Sequence, residues 1–220
     1  MDIKTNLTTI KNQLPNHVKL VAVSKTKPVE SIREAYDAGH YIFGENKAQE
    51  LINKQPELPG DIEWHFIGHL QSNKVKYLAP FVRMIHSVDR PKILKEINKE
   101  AKKHNRVIDC LLQFHIAEEA TKFGLSMEEA RQLIESENFS GYSNVRIRGV
   151  MGMATFTEDS DQIRREFRTL KQYFNTLKHD YFAHQSFDQL SMGMSGDYQI
   201  AIEEGSTIVR LGSVIFGARH

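Results

Sequence analysis

Lys25 follows a short apolar run, Leu20–Val23, and precedes Thr26 and Lys27. A lysine at the end of a buried strand sits where apolar walls can lower its pKa, and the neutral amine is the form that attacks carbonyls. Far along the chain, Gly193–Met194–Ser195–Gly196 and Gly212–Ser213 supply small residues and hydroxyls. That composition suits a nest of backbone N–H groups for a phosphate. Arg210 lies between the two segments. A lysine for an aldehyde, a nest for a phosphate and a fixed cation for a ring nitrogen together meet the needs of pyridoxal phosphate. Each part also has a plainer reading. The lysine could simply be solvated, the Ser/Gly segments could be ordinary turns and caps, and Arg210 could pair with Glu203 or Glu204. Only the joint arrangement favours a binding site.

Two further signals carry less. His65 and His69 are four apart, a spacing that serves metals on a helix, but Phe-Ile-Gly separates them and no Cys or carboxylate cluster accompanies them. Cys110 lies in an apolar run and reads as a buried small hydrophobe.

The elements that must position these residues alternate along the chain. Strands are expected at Leu20–Val23, Tyr41–Phe43 (closed by Gly44), Glu63–Ile67, Met84–Val88, Val107–Phe114, Val145–Val150, Gln189–Met192 and Thr207–Leu211. Between them run helical patterns. One starts near Pro28, carries Ile32 and Ala35 and stops at Gly39. Others span Lys47–Lys54 and Pro91–His104. Ser126 and Glu129 form a capping-box signature, and Ile163, Phe167, Leu170, Phe174 and Leu177 mark a long amphipathic helix. On Pro91–His104 the lysine-rich face also carries Glu96 and Glu100, which reads as the solvated outside of a barrel. Eight strands with intervening helices predict an α/β fold, a (β/α)8 TIM barrel, with a doubly wound open sheet as the runner-up. About Asp2–Leu14 would be an extra N-terminal helix, and residues 1–220 would form one barrel domain. Active sites of such barrels lie at the C-terminal ends of the strands, where Lys25, Asn46, Ser195, Gly212 and Ser213 fall.

Composition bounds the partners. The 220 residues carry 29 Lys+Arg and 28 Asp+Glu, a formal net charge of +1, which excludes a strongly polycationic nucleic-acid binder. Cys110 is the single cysteine, so an intramolecular disulfide framework is excluded. No apolar run approaches the length of a membrane span, and MDIKTNLTTIKNQ lacks a signal-peptide core. The expectation is a soluble cytoplasmic protein, monomeric because no exposed apolar stripe is left over.

Five segments carry a resemblance: Val21–Pro28 (VAVSKTKP), Phe43–Asn46 (FGEN), Trp64–Gly68 (WHFIG) with Leu70–Lys74 (LQSNK), Leu190–Ser195 (LSMGMS) and Val209–Arg219 (VRLGSVIFGAR). In this order they resemble the pyridoxal phosphate homeostasis proteins, a family similar to the barrel domain of alanine racemases. The resemblance implies a barrel without the racemase's second domain. It implies that Lys25 forms the Schiff base with pyridoxal 5'-phosphate, that Asn46 lies at the cofactor ring, and that Ser195 and Gly212–Ser213 hold the phosphate. Arg210 would face the pyridine nitrogen. Lys27 and Lys122 fall where the family often has lysine. The sequence departs from relatives at His69, at Ser213 (often threonine) and in Gly149–Thr155 (GVMGMAT).

Arg210 also bears on chemistry. Guanidinium donates hydrogen bonds and accepts none, so a pyridine nitrogen facing it stays unprotonated and is a weak electron sink. The tyrosine that supplies the second acid/base group in alanine racemases comes from the absent domain. The first expectation is therefore a non-enzymatic protein of vitamin B6 homeostasis that holds the cofactor and passes it to dependent apoenzymes. A minimal racemase or lyase is the alternative, with His65, His69 or His86 as the second acid/base group. A cofactor-free barrel enzyme for a phosphorylated metabolite is the third reading.

Overall fold

The computed structural model describes residues 2–119, 123–183 and 186–217. Eight strands form a closed, all-parallel barrel in sequence order. They are β1 (Lys19–Val23), β2 (Ile42–Glu45), β3 (Glu63–Phe66), β4 (Met84–Val88), β5 (Ile108–Gln113), β6 (Val145–Met151), β7 (Gln189–Ser191) and β8 (Ile208–Leu211). β8 returns to pair with β1 in the register Ala22↔Leu211. The helices are α1 (Ile3–Gln13), α2 (Val29–Asp37), α3 (Ala48–Lys54), α4 (Ser72–Leu78), α5 (Pro91–Lys103), α6 (Met127–Glu135), α7 (Ser160–Asp180), α8 (Tyr198–Glu203) and α9 (Ser213–Phe216). The open-sheet alternative is excluded, because the sheet closes.

Side chains of a strand alternate between two faces. Here one face meets the helices and the other fills the barrel. Leu20 and Ala22 belong to the large core between sheet and helices, whereas Val21 packs with Met84, Leu111, Met151 and Ile208 in a small cluster of its own. Arg210 is two residues beyond Ile208 and so falls on the inward face. The helices close the outer layer through single stripes; on α5, Ile93, Leu94, Ile97 and Ala101 are buried. The exposed face carries the Lys99–Glu96 pair, whereas Glu100, expected on that solvated face, is buried with the stripe and is reached by Lys103 from its rim. The capping box of Ser126 and Glu129 starts α6, and α1 packs against α9 and α2.

β4 is bounded as expected; the other strands differ from expectation by a residue or two at one end or both, and one difference has a cause. Gly44 does not close β2 but lies within it, paired with Val23 and His65. A Cβ at Gly44 would stand 2.8 Å from Val21 Cγ1 and 3.3 Å from Ile67 Cδ1, so a glycine fills the only space the inner face leaves there. Tyr41 stays outside the strand and half exposed.

Candidate functional site

β7, β8, β1 and β2 are consecutive staves of the barrel. Every residue proposed from sequence for the site lies in or just after one of them. Lys25 follows β1, Asn46 follows β2, Ser195 follows β7, Arg210 is within β8, and Gly212 and Ser213 follow β8. The fold thus gathers all six on one side of the C-terminal mouth. Lys122, by contrast, lies outside the described residues.

Backbone contacts lock these loops together. The Gly212 N–H donates to Ser195 Oγ at 3.2 Å, tying the seventh loop to the eighth. A Cβ on Gly212 would be 3.1 Å from the Val23 carbonyl, so this loop rests on the end of β1, two residues before Lys25. Gly68 packs still closer: its Cβ would be 2.1 Å from the Asn46 carbonyl, so the loop after β3 braces Asn46 from behind. The Asn46 Oδ1 is buried without a hydrogen-bond partner among the described residues. Ser213 is exposed and opens α9, in which the Ile215 and Phe216 N–H groups both donate to the Gly212 carbonyl at 2.9 Å.

Arg210 is the most informative member. It is almost wholly buried, and its Nη1 donates to Ser191 Oγ at 2.6 Å and its Nη2 to the Gly152 carbonyl at 3.0 Å. Both acceptors are neutral. The sequence alternative, a pair with Glu203 or Glu204, is overturned: those carboxylates hold Arg164 at 2.5 and 2.6 Å, and Glu204 also holds Arg168. They lie at the end of α8, on the outer layer. Burial pulls the Arg210 guanidinium well below its ordinary value, to about 10, so it is still protonated at neutral pH. A buried cation whose hydrogen bonds go to neutral oxygens favours an anionic or electron-rich ligand beside it.

Below Arg210 a chain of hydrogen bonds crosses the barrel. Ser191 Oγ meets His86 Nδ1 at 3.0 Å, and His86 Nε2 meets His65 Nδ1 at 3.0 Å. Burial drives His65 down to about 3 and His86 well below the ordinary histidine value, so both rings are neutral. His65 is thus not paired with His69. His69 instead meets Asp89 at 3.0 Å and stacks on Phe123. Cys110 is fully buried, and burial pushes its thiol up.

Sequence reasoning gave no role to four contributors. Ser191 was visible only as a strand residue, although it stands opposite Ile208 in register and so beside Arg210. Lys54, Glu45 and Glu50 gather behind Lys25. Burial pushes the Glu45 carboxyl up, against hydrogen bonds from Ser24 and Lys54. The Glu50/Lys54 i,i+4 spacing was the available signal.

The residues present suit pyridoxal phosphate. An orphaned amide oxygen, a buried cation, a serine–glycine backbone cradle and a lysine converge on one mouth. Comparison with known proteins agrees. The family model for the alanine racemase N-terminal domain matches residues 2–220. A pyridoxal phosphate homeostasis protein of Aquifex aeolicus is 43% identical over 205 residues, 93% of this chain and 88% of the relative. One of Escherichia coli K12 is 36% identical, covering 99% of this chain and 97% of the relative. Among solved structures, PipY of Synechococcus elongatus PCC7942, determined with PLP bound, superposes with a TM-score of 0.90 at 34% identity, covering 98% of this chain and all of that one. An alanine racemase of Clostridium difficile shares the fold with a TM-score of 0.81 at 15% identity, and this chain covers 57% of it. The chain therefore belongs to the alanine racemase N-terminal domain family, among its pyridoxal phosphate homeostasis proteins.

Proposed function

We propose that this protein binds pyridoxal 5'-phosphate and serves vitamin B6 homeostasis as a non-enzymatic reservoir, releasing the cofactor to dependent apoenzymes. The observation that carries the reading is Arg210, a buried cation bonded only to neutral oxygens at the mouth that also holds Lys25. When bound, the cofactor supplies an aldehyde that condenses reversibly with an amine, and an electron-withdrawing ring. Lys25 is the amine. Asn46 offers its orphaned Oδ1 to the ring substituents. The backbone at Gly212–Ser213, braced by Ser195, takes the phosphate. Arg210 uses one N–H of Nη1 and one of Nη2 on the Ser191 and Gly152 oxygens, which leaves three of its five N–H donors for a ring nitrogen. The names of the relatives and the bound PLP in PipY support the same assignment.

The racemase alternative needs a second acid/base group facing the substrate. Two of its three histidine candidates, His65 and His86, lie beneath Arg210, bonded to each other and kept neutral by burial. Protein function as a monomer, as one barrel unit over residues 1–220 and in the cytoplasm is part of the proposal. Among the described residues, no helix is long and apolar enough to cross a membrane.

The test begins with the visible absorption of freshly purified protein, followed by borohydride reduction and peptide mapping. The expected result is a yellow protein with a phosphopyridoxyl group on Lys25. No adduct after incubation with excess pyridoxal phosphate would overturn the cofactor assignment and favour a phosphorylated-metabolite enzyme. Deuterium uptake at the α-carbon of L-amino acids, lost in Lys25→Ala, would overturn the non-enzymatic part.

A further inference from the structure

Lys25 sits in a tight turn. The Lys27 N–H donates to the Ser24 carbonyl at 3.0 Å, which makes Lys25 and Thr26 its central residues. Thr26 has φ +65°, in the left-handed region. A turn with positive φ only at its second central residue is the type II pattern, and that position favours glycine or asparagine. A β-branched threonine there is strained unless its surroundings hold it.

The surroundings do hold it, and from both sides of Lys25. The peptide before Lys25 presents the Ser24 carbonyl, which accepts from Lys54 Nζ at 3.0 Å. The peptide after Lys25 presents the Thr26 N–H, which donates to Glu50 Oε1 at 2.6 Å. Lys54 and Glu50 are themselves an ion pair at 2.6 Å on α3. The remaining Lys54 bond goes to Glu45 Oε1 at 2.9 Å, an oxygen that also accepts from Ser24 Oγ at 2.6 Å. All three ammonium protons of Lys54 are thereby used. Lys54 and Glu45 are buried, whereas Glu50 is partly exposed. Two peptide planes define the direction in which a side chain leaves the backbone, and one ion pair fixes both planes at Lys25.

We propose that Glu50 and Lys54 are positioning residues for the Lys25 amine. They hold a strained Ser24–Lys27 turn in the one conformation that aims Lys25 into the barrel mouth. The inference rests on the reading of Lys25 as the residue that takes the cofactor aldehyde. In that reaction the amine nitrogen bonds the aldehyde carbon and the aldehyde oxygen leaves as water. A misaimed amine reaches the same product more slowly, because a displacement of about 1 Å can cost on the order of 100-fold in rate.

The test measures the rate at which full-length protein, stripped of cofactor and mixed with pyridoxal phosphate, gains a borohydride-trappable group on Lys25. Peptide mass spectrometry follows the adduct over time. Glu50→Ala, which removes the acceptor for the Thr26 N–H, is expected to slow labelling about 10- to 100-fold. Glu50→Gln keeps an acceptor oxygen and is expected to stay within a few-fold of the unsubstituted protein. Adding Thr26→Gly to Glu50→Ala removes the strain and is expected to restore most of the lost rate. A merely structural role for Glu50 in α3 would give no such rescue. Apo melting temperatures identify any variant that has lost its fold; Glu50→Gln and the double variant then carry the comparison. If Lys25 labels normally in the unsubstituted protein and equally fast in a folded Glu50→Ala, the clamp is overturned and the cofactor reading stands. If the unsubstituted protein never labels at Lys25, the cofactor reading falls and takes this inference with it.

Discussion

Replacing Arg210 with methionine separates a binding cation from a structural one. Cutting a buried ion pair commonly destabilises by about 3–5 kcal/mol, because a partner charge is left alone. Arg210 has no such partner among its bonds, which go to Ser191 Oγ and the Gly152 carbonyl, although the nearby Asp197 charge offsets part of its burial. The drop of its pKa to about 10 in the folded protein means that holding the charge there costs about 3 kcal/mol at neutral pH. The sign is fixed. The folded value lies below the unfolded one, so the cost is constant through the neutral range and is relieved only as pH rises past the folded value. Arg210→Met removes that cost. Against it stand two lost hydrogen bonds at about 1 kcal/mol each and a carbonyl left unpaired at about 1–3 kcal/mol. Ser191 Oγ keeps His86. The terms nearly cancel, so apo stability should change by no more than about 2 kcal/mol, a shift of about 5 °C for a chain of this size. Ligand response should change far more. Pyridoxal phosphate at a hundred times its Kd stabilises the wild type by about 2.7 kcal/mol, or about 5–10 °C, and most of that shift should vanish. Thermal melts of both proteins with and without the cofactor provide the assay. An apo variant that melts more than about 10 °C lower, or one whose cofactor shift matches the wild type, would refute the reasoning.

Three other outcomes follow from the same structure. Gly68→Ala drives a methyl into the Asn46 carbonyl; moving that loop should weaken cofactor affinity about 10-fold, the worth of one buried hydrogen bond, as read by spectroscopic titration. Acid should unfold the protein early: burial holds His65 near 3 and His40 near 4, below their unfolded values. Their contribution is therefore full above the ordinary histidine value and is lost as pH falls from there toward the folded values, with His65 alone worth about 2 kcal/mol at pH 5. Urea midpoints compared at pH 7.5 and 5 check this, and an unchanged midpoint contradicts it. Ser126→Ala breaks the α6 capping box and should cost about 1 kcal/mol, lowering the melting temperature by about 2–4 °C with cofactor binding intact.

Much of the barrel was legible because its two periodicities are simple. Met84–Val88 is bounded as expected because Arg83 and Asp89 flank five buried residues with charge. Gly44 was misread because a glycine in an inward position resembles a turn in one dimension; only the proximity of Val21 and Ile67 explains it. The site separates in the same way. Lys25, Asn46, Ser195 and Gly212 were legible as strand-end residues. Arg210 was legible as a cation, but its partners were not. They are set by the register of β7 against β8, which places Ser191 opposite Ile208, and by the approach of Gly152 from the β6 end. Neither contact leaves a local signature. Lys54 reads as an ordinary helix-surface lysine until the first strand's turn is folded against it.

The hydrogen-bond chain beneath Arg210 bears on two of the acid/base candidates of the racemase alternative. Ser191 Oγ already accepts from Arg210 Nη1. Its own proton is then free to go to His86 Nδ1, which leaves the His86 proton on Nε2 and pointed at His65 Nδ1. Every bond in that direction polarises the next away from the cation. Both rings stay neutral, because burial opposes the charge a proton would bring. Such a chain steadies the guanidinium and offers no proton to the mouth. A ring nitrogen placed beside Arg210, as proposed, would receive a hydrogen bond and stay unprotonated, which would weaken the electron sink that racemisation or elimination demands. Of the three histidines considered as a second acid/base group, this leaves His69. Its Nδ1 is held by Asp89 and its ring lies flat on Phe123. The structure thus removes His65 and His86 from the racemase alternative and leaves His69, oriented by Asp89, as the one candidate on which that alternative still turns.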